Sequence, residues 1–381
     1  MSHWVKAPLS WLRRARDALR PHQTHDTTTI KECLSRPSFE SPTRYYFAKV
    51  DEQFKHGRYQ AIRRLGAGMY SHVWLAKDVQ HESFVALKLL TVDCYGAGHD
   101  IFEIDILGAI KRHQAELVKD DSHIVGLLDT FALTGPLGSH KCIVMPVLGC
   151  SIGAQVDRYD DRRLPVPIMK EITKQVLQGL SFLHSKCEVV HTDLQPSNML
   201  FELGSLETSR LAAGESADAV TPSITKSCPG HPVHLRAPEV ILRAPWGPPV
   251  DIWSLGCLVI EFTKGHVAFP GSASATGAWS SEDHHLAIYM DVLGPMPRAL
   301  LERGARPSEF FDDQGQLLRM RGMGYTGLKD LMDGTEWPLT RPDGMNDAEM
   351  AMFVDFLQGA LTLDPEHRKT AEELLRHEWL Q

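Results

Sequence analysis

The first half of the chain alternates short apolar runs with Gly and polar breaks, a pattern typical of antiparallel strands. Three runs are RYQAIRRL, YSHVWLAKD and SFVALKLL, which begin at Arg58, Tyr70 and Ser83. HIVGLLDTFAL and KCIVMPVLG read as two more strands, joined by the turn-rich TGPLGSH. Between the third and fourth runs, HDIFEIDILGAIKRH has helical spacing. We therefore predict a small β-rich lobe over about residues 56–147 that contains one helix.

The second half of the chain has the spacing of buried helices. From Ile168, apolar residues recur on one helical face at Ile172, Val176, Leu180 and Leu183. VDIWSLGCLVIEFTKG reads as a core helix, and DAEMAMFVDFLQGAL and TAEELLRHEWL read as closing helices. Thr370 followed by Glu373 is a capping-box start for the last one. These patterns predict a larger helical lobe over about residues 148–381, and hence a two-lobed α+β fold.

Two polar stretches flank or interrupt these lobes. Residues 1–55 are expected to form a mostly irregular extension, of which RYYFAKV docks on the adjoining β-rich lobe. Residues 203–233 are rich in Gly, Ser, Thr, Ala and Pro, which predicts a polar linker. The first twenty residues carry five Lys/Arg and one Asp. Two interpretations stay open for them: an amphipathic targeting segment, mitochondrial for example, or a solvated tail.

Bulk properties exclude some function classes. The chain has 381 residues, a net charge of −8 and a pI near 6.2. No overall positive field favours nucleic acid or an anionic membrane, and no apolar run is long enough to span a bilayer. Seven cysteines without a CxxC pair suit a reducing compartment. We expect a monomer in the cytoplasm, the nucleus or both, without direct nucleic-acid binding.

Two features of the predicted β lobe carry candidate chemistry. LGAGMYSHVW lies between the first two strands, and Gly66 and Gly68 allow positive φ and a close approach of backbone N–H groups to phosphate. Lys88 sits within an apolar strand, on the face that alternation also gives to Ala86. A lysine on a half-buried face needs a partner, and Glu103 on the following helix is a plausible one. A tight hairpin and an edge-strand lysine are the plainer alternatives.

The stretch VVHTDLQPSNMLF places an acid and an amide between two apolar runs. Asp193 and Asn198 are five residues apart on one short loop. Phosphoryl transfer needs alignment, charge neutralisation and one carboxylate near the attacking oxygen. A carboxylate and an amide at this spacing can serve the nucleophile and a metal ion. The loop is therefore the candidate catalytic centre.

The ordered set LGAGMYSHV, VALK, a helix Glu, HTDLQPSN, LRAPEV and DIWSLGCL resembles the eukaryotic protein kinase domain. The resemblance covers about Arg58 to Leu380. Its finer match is to the SR-protein kinases and their fungal relatives, of which Thr192 in HTD is typical. The runs GHVAFPG, DVLGPMP, FFDDQGQLLR and LTLDPEHRKTAEELLRHEWL also resemble that group. The expected fold is the two-lobed protein kinase fold.

The resemblance implies a nucleotide site in the β lobe. Lys88 would hold the α- and β-phosphates of ATP, positioned by Glu103. Met145 would be the gatekeeper, and the hinge from Pro146 to Leu148, with Val147 at its centre, would offer backbone groups to adenine. Leu65 through Val73 would cover ATP, and Val73 with Ala86 would sandwich adenine. The residues assigned to these two roles are Leu65, Gly66, Ala67, Gly68, Ser71, Val73 and Ala86.

The resemblance also implies catalytic and structural roles. Asp193 would orient and deprotonate the substrate hydroxyl, and Asn198 would hold Mg²⁺. Glu239 would pair with Arg368, and Asp251 would support the catalytic loop. The implied activity is transfer of the ATP γ-phosphate to Ser or Thr of a protein, in a basic or Arg/Ser-rich context. The acidic FFDD run could attract such a substrate, although a solvated acidic loop is the plainer interpretation.

The chain departs from the kinase pattern twice. Gln195 replaces a lysine that normally stabilises charge on the moving phosphoryl group, a loss worth about 2–4 kcal/mol of barrier. No Asp-Phe-Gly triplet follows Asn198, and Asp218 is the only Asp between Asp193 and Asp251. Two explanations stay open. The protein is a pseudokinase or scaffold that binds a partner or nucleotide without catalysis, or the sequence has lost a segment of an ordinary kinase.

Overall fold

A computed structural model describes residues 5–8, 44–95, 101–117, 121–135, 138–214, 233–320, 327–334 and 339–381. The chain divides into two compact units. The sheet unit comprises Met1–Arg158 and Ser197–Pro229, and the helical unit comprises Tyr159–Pro196 and Gly230–Gln381. A β-rich unit and a mainly helical unit confirm the predicted α+β fold class, while the exact lobe boundaries stay a prediction.

The strands of the described residues all belong to the sheet unit. Strands β2 to β7 form an antiparallel sheet in the order β2-β3-β4-β5-β7-β6, and β1, β9 and β8 form a smaller sheet in that order. Their bounds are β1 Val5–Pro8, β2 Gln53–Phe54, β3 Tyr59–Gly68, β4 Ser71–Asp78, β5 Ser83–Leu90, β6 Asp129–Gly135, β7 Gly138–Pro146, β8 Leu148–Ser151 and β9 Met199–Glu202.

Strand β5 at the middle of the larger sheet shows the predicted alternation. Val85, Leu87 and Leu89 pack into one apolar cluster on one face. Ala86 lies on the opposite face, in a separate cluster with Leu65. Because successive side chains of a strand point to opposite faces, a strand with apolar residues at nearly every position is buried on both. The sheet therefore has two covered faces.

The helices are divided between the units. The sheet unit contains α1 Glu103–Gln114, α2 Ile152–Val156 and α4 Ser205–Ala212. The helical unit contains α3 Val166–Ser185, α5 Pro238–Ile241, α6 Pro249–Lys264, α7 Ser281–Leu293, α8 Arg298–Arg303, α9 Leu328–Met332, α10 Asp347–Ala360 and α11 Ala371–Leu375. No helix in these described ranges is long and apolar enough to cross a membrane.

Helix α6 is the core of the helical unit, as its unbroken apolar pattern predicted. Trp253 is fully buried, stacks on Phe269 and meets Tyr289 edge-on. Helix α3 packs against α6 and α11 with its predicted apolar face. The predicted capping box at the start of α11 is confirmed, since Thr370 and Glu373 each bond to the other's backbone N–H. The helical unit thus follows closely from its sequence periodicity.

The predicted polar linker over residues 203–233 is wrong in its first part. Helix α4 forms there, and its Leu211 is only 2% exposed. Polar composition favours a loop, but one leucine packed on the sheet supplies the tertiary contact that stabilises a short helix. Residues 215–232, which include Glu215 and Asp218, lie outside the described residues.

Two other predictions need adjustment. Residues 123–128 are not strand, and β6 and β7 extend so far toward each other that only residues 136–137 separate them. The predicted turn TGPLGSH is therefore mostly strand, because pairing with the neighbouring strand extends through its polar residues. At the N-terminus, residues 5–8 form β1, which pairs in parallel with β9. The rest of the proposed targeting segment lies outside the described residues.

Candidate active site

Lys88 and Glu103 form the buried ion pair that the sequence predicted. Lys88 Nζ lies 2.5 Å from Glu103 Oε1, and the two side chains are 6% and 4% exposed. Strand β5 carries the lysine and the first turn of α1 carries the glutamate. Two charges withdrawn from water persist only when they neutralise each other. The pair therefore holds an ammonium group at a fixed position on the sheet, next to Val73 on β4.

The glycine-rich loop from Leu65 to Val73 is the turn between β3 and β4. Neither Gly66 nor Gly68 adopts positive φ. The expectation that these glycines allow left-handed backbone is therefore wrong. A Cβ on Gly66 would meet no atom within 4 Å, and one on Gly68 only Ser71 O at 3.9 Å. The glycines instead leave space beside the backbone, which allows a ligand to approach the loop closely. Ser71 itself is buried at the start of β4.

Tyr45 contacts this loop and was not identified as a site residue from the sequence. Its hydroxyl donates to Met69 O at 2.9 Å, and its ring stacks on His72 with centroids 4.6 Å apart. Burial, and secondarily Arg64, lowers the pKa of His72, so the imidazole is neutral at pH 7. The run RYYFAKV docks on the sheet unit as predicted. No local sequence pattern indicates that the tip of the loop is its partner.

The expected adenine residues lie together on one face of the sheet. Leu65, Ala86 and Val147 belong to one buried apolar cluster, against which Val73 packs while partly exposed. Met145 lies opposite Ala86 in the β5–β7 ladder and belongs to the neighbouring cluster, with Leu148 packed against it. Ala67 and Gly68 at the loop tip pair with β4. Within the sheet unit, the residues therefore belong to two apolar clusters that meet where Ala86 lies opposite Met145.

This apolar face is covered by another part of the same unit. Leu211 of α4 is a member of the cluster, and Leu203 and Ala212 pack against it. Arg63 Nη2 donates to Leu211 O at 3.1 Å, which fixes the end of α4 to β3. Neither Leu211 nor Arg63 was identified as a site residue from the sequence. The composition of the surrounding segment gave no signal of this packing.

The Asp193 loop, residues 191–195 of the helical unit, is held by Asp251 at the start of α6. Asp251 accepts from the backbone N–H groups of His191 at 2.7 Å and Thr192 at 2.8 Å, and pairs with His184 Nε2 at 2.8 Å. Thr192 has φ of 63°, a left-handed conformation that costs a non-glycine residue about 1–2 kcal/mol. Charge-assisted hydrogen bonds to Asp251 offset that strain. The supporting role expected of Asp251 is thereby confirmed.

Gln195 contacts the candidate catalytic carboxylate directly. Its Nε2 donates to Asp193 Oδ1 at 2.8 Å. The backbone N–H of Asp193 donates to His191 O at 2.9 Å, which closes a tight turn. The glutamine thus orients Asp193 as a cationic side chain at this position could, but it brings no positive charge to a phosphoryl group. The loop retains its geometry and loses one element of its electrostatics.

A second buried ion pair fixes the segment that begins after residue 232. Arg368 donates to both carboxylate oxygens of Glu239 at 2.7 and 2.9 Å, and both side chains are fully buried. Arg368 also donates to Thr362 O and Pro249 O, and lies over the Trp253 ring. The predicted pairing is confirmed, and the bidentate geometry with further acceptors satisfies the guanidinium inside the core.

Metal ligands are the weakest part of the site. Among the described residues, no group of three or more His, Cys, Asp or Glu side chains could hold a metal ion. Asn198 is buried in a short 3₁₀ turn that leads into β9. The described residues between Asn198 and Glu239 contain no Asp. Within the described part of the chain, the side chains do not by themselves form a complete Mg²⁺ site, and the ligand role of Asn198 stays a prediction.

Comparison with known proteins agrees with this geometry. Residues 59–380 match the protein kinase domain. The chain is 28% identical to the serine/threonine-protein kinase SRPK of Physarum polycephalum, over 88% of each chain. It is 24% identical to SRSF protein kinase 3 of Sus scrofa, over 88% of each, and 25% identical to protein kinase dsk1 of Schizosaccharomyces pombe, over 88% of this chain and 83% of the relative. All three relatives are named as protein kinases. The chain therefore belongs to the protein kinase family.

Proposed function

We propose that the protein transfers the γ-phosphate of ATP to Ser or Thr of an Arg/Ser-rich protein. Membership of the protein kinase family supports the use of ATP in general. The finer assignment draws on the resemblance to the SR-protein kinases and on relatives named serine/threonine-protein kinase SRPK and SRSF protein kinase 3. Cytoplasm and nucleus are the proposed locations, and a monomer is the proposed state.

The observation that carries the proposal is the Asp193 loop. Asp251 anchors two consecutive backbone N–H groups of the loop, and Gln195 donates to one oxygen of Asp193. A general base must be held at a fixed position to accept the proton of an attacking hydroxyl. A solvated surface turn has no need of a carboxylate as buried as that of Asp251, which is 1% exposed. The loop is built to present Asp193.

The proposed reaction moves the γ-phosphoryl group from ATP to the hydroxyl of a substrate Ser or Thr. ATP supplies the phosphoryl group. Asp193 accepts the proton of the substrate Ser or Thr hydroxyl. The oxygen of that hydroxyl bonds to the γ-phosphorus, and the bond between the γ-phosphorus and the β–γ bridging oxygen breaks, which releases ADP. Lys88, held by Glu103, neutralises phosphate charge from the sheet unit. Leu65, Ala86 and Val147 offer an apolar surface for adenine.

The role of Mg²⁺ is limited by the ligands present. Mg²⁺ is usually held by one or two carboxylates together with substrate phosphates and water. Asn198 is the one metal ligand that we propose. Proton acceptance by Asp193 and charge neutralisation by Lys88 do not require a further metal ligand from the chain. Gln195 lacks the charge of a lysine, so we expect transfer to be slow rather than absent.

The Arg/Ser-rich substrate fits the charge of the protein. Its net charge of −8 attracts basic segments at long range. The predicted acidic run is divided: Asp312 Oδ1 accepts from the backbone N–H groups of Gln314 and Gln316, whereas Asp313 is exposed. Asp312 therefore stabilises its own turn, and Asp313 is the carboxylate of the pair that faces solvent.

Phosphate transfer from labelled ATP to a synthetic Arg/Ser-rich peptide tests the proposal. The full chain is incubated with ATP, with and without Mg²⁺, and phosphopeptides are mapped by mass spectrometry. Two matched peptides serve as controls, one with each Arg changed to Gln and one with each Ser changed to Ala. We expect phosphorylation of Ser in the first peptide, weaker phosphorylation of the Gln control and none of the Ala control.

Two results would contradict the proposal in different ways. Equal phosphorylation of the Arg/Ser and Gln peptides would remove the substrate assignment and leave the kinase activity. Binding of ATP without any transfer, in protein that melts cooperatively, would make the protein a nucleotide-binding protein instead. A rise in melting temperature on addition of ATP reports that binding independently of turnover.

A further inference from the structure

Helix α4 covers the apolar face to which we assigned adenine. Leu211 is 2% exposed and lies in one cluster with Leu65, Ala86 and Val147. Val73, the other expected adenine contact, packs against the same cluster. Adenine is a flat, mostly apolar ring that a kinase holds between aliphatic side chains. The leucine therefore occupies the chemical environment that the ring needs.

The segment from Leu203 to Ala212 packs on this face near its two ends. Leu203 and Ala212 pack against the cluster while partly buried. A Cβ on Gly149 would lie 3.0 Å from Leu203 Cδ2, so the absence of a side chain there makes room for the leucine. Arg63 donates to Leu211 O at 3.1 Å and anchors the last turn. Apolar fit and a directed hydrogen bond together hold the segment in place.

Part of the polar side-chain bonding of α4 lies within the helix itself. Thr208 and Ser209 donate from their side chains to Gly204 O and Ser205 O, each at 2.9 Å, so these polar groups bond within the segment. Leu206 is 54% exposed and faces away from the sheet. A helix of this length is marginal without a packing partner, and α4 should lose its structure once Leu211 leaves the face.

We propose that α4 is an internal competitor of the nucleotide: the segment Leu203–Ala212 and adenine bind the same face of the sheet unit in alternation. The inference rests on the proposed use of ATP. If the uncovered form is a minor population, the apparent affinity for ATP is reduced by that fraction. Reciprocally, ATP shifts the protein toward the form with α4 released, and a partner that captures the released segment increases ATP binding.

Titration of the full chain with a fluorescent ATP analogue tests the competition. Leu211→Asp places a charge in the apolar cluster and should release α4, which lowers the apparent Kd by about tenfold or more. Leu206→Asp makes the same change on the exposed side of the same helix and should leave the Kd unchanged. Arg63→Gln removes the anchor without altering the cluster and should give a smaller gain. Circular dichroism verifies that each variant is folded.

Hydrogen exchange on the unaltered protein gives a second readout. Addition of ATP should increase exchange at the amides of residues 205–212 while it protects the glycine-rich loop. Equal Kd values for the unaltered chain and both aspartate variants, with no change in exchange at α4, would overturn the competition and leave the proposed function intact. Absence of nucleotide binding in both the unaltered chain and folded Leu211→Asp protein would overturn the nucleotide assignment itself, whereas loss of binding in the variant alone would overturn the competition. If Leu211→Asp does not fold, Arg63→Gln and the exchange experiment decide.

Discussion

The Asp193 loop and the apolar face of the sheet unit both contain residues expected from the kinase resemblance, but different forces shape them. The loop is set by short hydrogen bonds from named donors to Asp251 and from Gln195 to Asp193. The face is set by apolar packing, which is non-directional and accepts any segment of suitable shape. Helix α4 occupies it through Leu211. Polar positioning is thus specific to its partners, whereas an apolar surface can be shared between a ligand and the chain itself.

The Lys88–Glu103 pair combines polar positioning with burial in the sheet unit. Breaking this pair should reduce the rate of phosphate transfer more than the other changes below. Lys88→Met keeps the length of the side chain but removes the cation, which leaves Glu103 buried without its partner. We expect phosphate transfer to fall by about 100- to 1,000-fold, as for loss of one preorganised electrostatic group. The measurement is the initial rate on the Arg/Ser-rich peptide.

Lys77→Met is the matched control for that variant. Lys77 is exposed on β4, the strand next to β5. The Lys77→Met protein should transfer phosphate at the rate of the unaltered chain, because a solvent-exposed lysine contributes little to a distant site. Equal losses in the two variants would mean that the pair contributes general stability rather than charge at the nucleotide.

The hydrogen-bonded loop should be more sensitive to a single-atom change than any surface pair. Asp251→Asn converts one acceptor oxygen into a donor that faces the N–H of His191 or Thr192. We expect a loss of about 3 kcal/mol in the free energy of unfolding, since a buried donor loses its charged acceptor. Urea denaturation measures it.

Asp355→Asn provides the comparison for this change. Asp355 also accepts from a histidine, His377 Nε2 at 2.9 Å, but its side chain is 64% exposed. The expected loss is below about 1 kcal/mol, as for surface ion pairs. Similar losses at both positions would contradict the view that burial makes the Asp251 interactions strong.

Gln195→Lys tests the electrostatic deficit of the loop. The lysine can keep the contact with Asp193 and add a positive charge beside the moving phosphoryl group. We expect a rate increase of about 30-fold, which corresponds to roughly 2 kcal/mol of barrier. Gln195→Met, which matches the length without the charge, should not increase the rate. An unchanged rate with lysine, in a chain that is active, would show that this position does not act on the phosphoryl group.

One half-buried and one fully buried histidine of the helical unit extend the comparison to pH. His184 pairs with Asp251, whereas burial lowers the pKa of His285, which is fully buried against Tyr289, to about 4. A histidine with a folded pKa below its unfolded value of 6.5 destabilises the fold as pH falls from 6.5 toward 4. We expect a loss of about 2 kcal/mol in the free energy of unfolding between pH 7 and pH 5 that His285→Leu removes. Unfolding free energies at the two pH values check it, and an equal loss in the variant would contradict the assignment.

Local periodicity predicted most of the fold. The alternation of β5, the helical spacing of α3 and the unbroken apolar run of α6 each depend on residues close together in sequence. The ion pair of Lys88 with Glu103 was predicted from a lysine within an apolar strand and a glutamate on the following helix. The pair of Arg368 with Glu239 was predicted only by resemblance, because its partners are 129 residues apart. Helix α4 and the contact of Tyr45 with the glycine-rich loop were missed. Both depend on tertiary packing that leaves no periodic signal in a polar segment.

We propose that Asp193 acts as the base in phosphate transfer, and replacement of this one carboxylate gives the sharpest test. Asp193→Ala and the control Asp160→Ala, at an exposed aspartate of the same unit, are compared in single-turnover transfer to the Arg/Ser-rich peptide. We predict a loss of at least about 100-fold for Asp193→Ala, with ATP binding retained, and no loss for Asp160→Ala. Undiminished transfer by folded Asp193→Ala protein would contradict the account.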